Sequence, residues 1–137
     1  MIQAQLQRSK YLETTVSTAT PAQLLLMLFD GAIRNCRAGI EAIQQNRPAD
    51  AHNAFSKAQD IISEFTITLD REAPIAADLL KLYEYFQFRL IEANTKKQAE
   101  PAEEVLQHLQ ELKETWYQAS KLLAHAPVAA QAEAVHG

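Results

Sequence analysis

The side chains able to do chemistry are few in this chain, and their spacing does not favour it. Its four histidines, His52, His108, His125 and His136, are scattered, and its single cysteine, Cys36, can form no internal disulfide. A di-iron site in a helical bundle needs Glu-x-x-His pairs on two helices, all facing inward. The only such spacing is Glu133 with His136, in an Ala-rich stretch at the C-terminus. No His-Glu-x-x-His and no pair of cysteines supplies zinc ligands. No glycine-rich loop offers a phosphate cradle, and no serine or cysteine stands in a nucleophile context. Phosphotransfer through an exposed histidine is the remaining reaction, with His108 as its candidate. However, Glu111 and Leu112 stand where phosphotransfer domains carry a lysine and a following glycine, so a solvated surface histidine is the plainer reading. The chain is expected to be no enzyme and to need no cofactor and no metal. What is left for it to do is binding.

Composition narrows the partners. With 13 basic against 17 acidic residues and a formal charge of −4, there is no electrostatic footprint for nucleic acid. The longest strictly apolar run, Leu24 to Phe29, is far short of the roughly 20 residues that span a bilayer, and no basic segment followed by an apolar run opens the chain. Neither membrane insertion nor secretion is expected, and the location expected is cytoplasmic. Cys36 falls on a core stripe, as a buried structural thiol.

Only three glycines in 137 residues, with abundant Ala, Leu, Gln, Glu and Lys, indicate a nearly all-helical chain. The clearest start is Thr20-Pro21-Ala22-Gln23. Thr20 can cap the helix and Gln23 can reach back to it, while Pro21 occupies the first helical position, where a missing N–H costs nothing. This first helix should run from Pro21 to about Gln45. A second, from about Pro48 to Leu69, carries Ala51, Ala54, Phe55, Ala58, Ile61, Ile62, Phe65 and Leu69 as one stripe. A third, from about Ile75 to Lys97, has Ile75, Leu79, Leu82, Tyr83, Phe86, Leu90 and Ala93 as its core stripe. A fourth starts near Pro101 and shows a heptad seam of Val105, Leu109, Leu112, Trp116, Ala119 and Leu123. Short connections force neighbouring helices antiparallel, so the fold class is all-α: an antiparallel up-down four-helix bundle. Residues 20–125 form the bundle and residues 1–19 a short N-terminal arm. The stretch 126–137 is too poor in large apolar side chains to dock, and reads as a disordered tail.

Two helices carry more apolar surface than one core face uses. At about 100° per residue, Leu25, Phe29, Ala32, Cys36, Ile40 and Ile43 share one arc. Leu24, Met27, Leu28, Gly31, Ala38 and Ala42 gather on a second, and the third helix places Leu80, Phe88 and Ile91 beyond its stripe, with Asn94 at the edge. Large exposed apolar patches mark interaction sites, and small residues beside Met27 would make a groove that a partner helix can enter closely. Gly31 fits that use, since glycine inside an exposed helix costs about 1 kcal/mol against alanine.

The run Thr20-Pro21-Ala22-Gln23-Leu24-Leu25-Leu26-Met27-Leu28-Phe29-Asp30-Gly31-Ala32-Ile33 closely resembles the signature of the FliS family of flagellin-specific export chaperones. The likeness continues in Ala58-Gln59-Asp60-Ile61-Ile62, in Leu90-Ile91-Glu92-Ala93-Asn94 with Lys96-Lys97, and in Leu112-Lys113-Glu114-Thr115-Trp116. It spans Tyr11 to Leu123 in order, although Phe29 stands where the family usually has tyrosine. The resemblance implies a cytoplasmic chaperone that binds the C-terminal segment of flagellin and prevents premature polymerisation. Such a chaperone hands its client to the flagellar type III export apparatus, and leaves room for other flagellar regulatory proteins as partners. It further implies an N-terminal arm that covers part of the binding surface, with Tyr11 and Leu12 as its anchors. A homodimeric bundle that buries the same faces against itself is the alternative.

Overall fold

The computed structural model describes residues 19–125. Four helices fill them: α1 (Pro21–Gln44), α2 (Pro48–Thr68), α3 (Ala76–Lys96) and α4 (Ala99–His125). The expected arm anchors Tyr11 and Leu12, the tail 126–137 and the Glu133/His136 pair lie outside the described residues. Each helix end agrees with the sequence reading to within two residues, because each is set by local chemistry. Thr20 Oγ1 accepts from the Gln23 backbone N–H at 3.1 Å, and Gln23 Oε1 accepts from the Thr20 N–H at 2.9 Å, a complete capping box with Pro21 in the first turn. At the other end of α1, Asn46 takes a left-handed φ of 56°. It donates its N–H to Ile43 O while Arg47 donates to Ala42 O, the paired bonds of a Schellman stop. Lys97, at φ 52°, ends α3 in the same region of backbone space.

The principal contacts pair α1 with α2 and α4, and α3 with the same two helices, so α1 and α3 stand at diagonal corners. An aromatic column ties the corners together. Phe29 of α1 packs on Phe65 of α2 (ring centroids 4.8 Å apart), Phe65 on Tyr83 of α3 (5.6 Å), and Tyr83 on Phe86 (6.5 Å). Phe86 in turn stacks on the ring of His108 in α4 at 5.9 Å, and His108 Nδ1 faces Glu111 at 3.9 Å. Burial of three phenylalanines and a tyrosine along one line supplies much of the apolar area that a helical domain of this size depends on. On one flank of the α3/α4 contact, Arg89 lies between Glu92 (2.8 Å) and Glu104 (3.4 Å).

Two positions mark how tightly the bundle is closed. Gly39 is buried against α2, and a Cβ there would lie 2.3 Å from Phe55 Cε1. Nothing larger than hydrogen fits. Cys36 is fully buried, and loss of hydration lifts its thiol from an ordinary value of 9.0 to about 12. Native protein should therefore resist thiol alkylation at pH 8, whereas denatured protein reacts at once. Because the folded pKa is the higher one, the contribution of this thiol is fully present below about pH 9. It is lost as pH rises toward 12, when only the unfolded chain ionises. Alkaline denaturation midpoints of the wild type and Cys36→Ser check this: the variant loses core packing at every pH and loses less additional stability above pH 9. A native thiol that reacts as fast as the denatured one would place Cys36 at the surface.

Candidate functional site

The second arc of α1 divides where its neighbours change. Of its two residues nearer Gln44, one is folded in. Ala42 is only 6% exposed and belongs to the core, which corrects the expectation that it faces outward. A helix with two large neighbours buries nearly half its circumference, and the angle of Ala42 falls inside the share taken by α2. Ala38, further round, is exposed. Gly31 is buried too, with Ile61 Cδ1 of α2 3.1 Å from where a Cβ would sit. The close approach that this glycine permits is thus already used within the bundle. Gly31→Ala should leave stability unchanged or raise it by up to about 1 kcal/mol, since the flexible end of Ile61 can yield and alanine is the better helix former. The denaturation midpoint is the measurement, and a drop beyond 1 kcal/mol would show that Ile61 is locked.

Toward Pro21 the arc stays open. Opposite Leu24, Met27 and Leu28, α2 offers Ile61 and Thr68, of which only Ile61 is large and apolar. The space left between the helices is a groove of about 640 Å³, lined by Leu24, Leu25, Met27, Leu28, Gly31 and Ile61, with Arg34 among its border residues. Pro21 and Leu25 also border a smaller apolar depression of about 250 Å³, whose other wall is Trp116, Ala119 and Ser120 of α4. Trp116 was expected inside the heptad seam but is 38% exposed. The seam of α4 is buried through Leu109, and among the described residues only Pro21, Ala22 and Leu25 stand opposite the indole, too little to cover it. A third depression, of about 500 Å³, lies between α1 and α4 and is charged, with Asp30, Arg34, Arg37, Lys113 and Glu114 on its walls. Lys113 and Asp30 are paired across it.

The α3 residues do not join this groove. Leu80 is half-buried, and Phe88 (63% exposed) and Ile91 (51%) form a separate apolar patch at the corner diagonal to α1. Asn94 is engaged by its own chain: its Nδ2 lies 2.8 Å from His52 Nδ1 on α2, and its Oδ1 accepts from Lys97 Nζ. Lysine can only donate, so Asn94 must turn its amide nitrogen toward His52, whose Nδ1 then accepts. The ten residues expected on the surplus faces of the two helices therefore fall into the groove, its margin, the core, a polar bridge and a distant patch. Ile61, Thr68 and Arg34 were missed as lining residues. One signal did exist for Ile61. Adjacent Ile61 and Ile62 cannot both point at the centre of a core, and that doubling is the same excess that exposed the second arc of α1.

Among the described residues no three His, Cys, Asp or Glu side chains come together as a metal site, and no helix is long and apolar enough to cross a membrane. The arrangement offers apolar contact and a few charges, and no catalytic constellation.

Comparison with known proteins bears on the same stretch of chain. The family model described as flagellar protein FliS matches residues 3–123. A flagellar secretion chaperone FliS of Bacillus subtilis is 33% identical over 109 residues, covering 80% of this chain and 82% of that protein. The chaperone of the same name from Salmonella typhimurium is 37% identical over 111 residues (79% and 82%), and that of Escherichia coli 30% over 107 residues (76% and 79%).

Proposed function

The chain belongs to the FliS family of flagellar secretion chaperones, and from that premise we propose that its client is the C-terminal segment of flagellin, held in the cytoplasm in the apolar groove at the N-terminal half of α1. The observation that carries this reading is the groove itself, walled by Leu24, Met27, Leu28 and Ile61 and left unfilled by the described chain. An amphipathic segment lays its apolar residues into such a groove, and residues so covered are withheld from polymerisation until the subunit passes to the export apparatus. Leu80, Phe88 and Ile91 at the diagonal corner would take a further part of a long client, or another flagellar protein. Ordering a flexible client costs several kcal/mol, so affinity depends on extended apolar contact more than on isolated ion pairs. Pro21, at the start of α1, borders both apolar depressions. The arm, anchored by Tyr11 and Leu12, would cover the groove in the free protein and yield to the client.

Calorimetric titration with full-length monomeric flagellin, and with flagellin lacking its C-terminal segment, tests the proposal. Tight equimolar binding that is lost on truncation, with a negative heat-capacity change, is the expected result. In the same titration a protein carrying Tyr11→Ala and Leu12→Ala should bind as well as wild type or better, and a large loss would remove the covering role of the arm. Binding that survives truncation would move the contact to another part of flagellin. No binding at all would leave the family assignment without this client.

A further inference from the structure

Arg34 borders both the apolar groove and the charged crevice beside it. Its Nη2 lies 3.8 Å from the position of a Cβ on Gly31, so the guanidinium folds back over the end of the groove floor. Lys113 is taken up by Asp30, and among the described residues neither Arg34 nor Arg37 is paired with a carboxylate. That leaves two guanidinium groups against Glu114 on the crevice walls, a local positive excess on a chain whose formal charge is −4.

We propose that groove and crevice are one two-part site, and that Arg34 selects and registers its occupant by pairing with a carboxylate on it. The inference rests on the reading of the groove as the client site. From Leu24 to Gly31 the groove runs two helical turns, about 10 Å, room for large aliphatic side chains at positions i, i+3 or i+4, and i+7 of a partner helix. One turn further, that helix meets Arg34 and then Arg37. The occupant is therefore an amphipathic helix whose apolar stripe gives way to an acidic residue one turn beyond its last aliphatic anchor. A lysine there would face two arginines. The carboxylate adds modest affinity and sets the register, because an apolar stripe alone can slide by a turn in a smooth groove.

The test titrates monomeric flagellin against wild type, Arg34→Gln and Arg34→Lys at about 0.05 M and 0.5 M salt, which changes the screening length severalfold. Arg34 is exposed, so the variants should fold. Arg34→Gln should weaken low-salt binding about tenfold and flatten its salt dependence, while Arg34→Lys keeps most of the affinity. Equal affinity and equal salt response in wild type and Arg34→Gln would overturn the inference while leaving the client assignment intact. If wild type does not bind flagellin, the client assignment fails, and a synthetic helix decides the rest. It carries leucines at i, i+3 and i+7, with glutamate or lysine one turn on. A preference for the glutamate peptide that Arg34→Gln abolishes supports the two-part site; no preference, or no binding, overturns it. Sedimentation of the free protein covers the remaining occupant. Self-association lost in Arg34→Gln would assign the groove to a second copy of the chain and overturn the proposal.

Discussion

Met27→Glu is expected to lower flagellin affinity by about 100-fold or more, a loss of some 2.7 kcal/mol, with helicity and melting midpoint close to wild type. Met27 is half-buried on the wall of the groove, and while the groove is open a carboxylate there reaches water. Surface changes of this kind usually alter stability by less than about 0.5 kcal/mol. When a client lays an apolar stripe across the groove, that carboxylate loses its hydration without gaining a cation within the apolar walls, and burial of an unpaired charge costs several kcal/mol. Calorimetry for affinity and thermal denaturation for stability separate the two effects. A variant that unfolds would show that Met27 supports the core. One that folds and binds as wild type would move the client elsewhere, with the patch at Phe88 and Ile91 as the next surface to test. Phe88→Glu is the companion variant for that outcome.

Gly39→Ala carries the second large effect, on stability alone. The added methyl would lie 2.3 to 2.6 Å from three carbons of the Phe55 ring, and Phe55 is fully buried, with no room to retreat. Overpacking in a closed core costs about 1–3 kcal/mol, and here the ring of a rigid side chain must move by close to an ångström, so the cost belongs at the upper end. The roughly 1 kcal/mol that alanine gains in helix propensity offsets only part of it. A net loss of about 2 kcal/mol is expected, lowering the midpoint by several degrees. Trimming the obstacle should recover some of that loss: in a double-mutant cycle, Phe55→Leu destabilises the wild type by opening a cavity but couples favourably with Gly39→Ala. Additive losses would mean that the helices part to admit the methyl. At temperatures where Gly39→Ala is still folded, its flagellin affinity should match wild type, because Gly39 faces α2 inside the bundle and the groove lies toward the other end of α1.

These two glycines show where reading the chain by itself reaches its limit. Gly31 sits among leucines on an amphipathic stretch, which by itself points to close approach by a partner. In the structure the tight contact is with Ile61 of the same chain. Gly39 has the more demanding contact and no local mark at all, since nothing within a few residues of it announces the ring of Phe55.

The sequence by itself determined the features that are local in cause. The capping box at Thr20, Pro21 and Pro48 in the first turns of their helices, and the break at Asp70 to Pro74 place the helices to within two residues. Short connections make those helices antiparallel, and scattered histidines with a lone cysteine leave no catalytic constellation. Four family-like blocks in order carried the assignment to a flagellar chaperone family. Tertiary structure alone decided which part of each surplus face stays open. Periodicity measures the angle of a side chain about its own axis, but burial depends on where neighbouring axes lie and how large their side chains are. That is why Ala42 is core while Ala38 at a nearby angle is exposed, why Trp116 leaves its seam where α1 presents only Pro21, Ala22 and Leu25, and why Leu80, Phe88 and Ile91 stand at the corner opposite α1. Arg34 gains its place for the same reason. As a residue on a helical wheel it is one more solvated cation; only the packing of α1 against both α2 and α4 sets it between an apolar groove and a charged one.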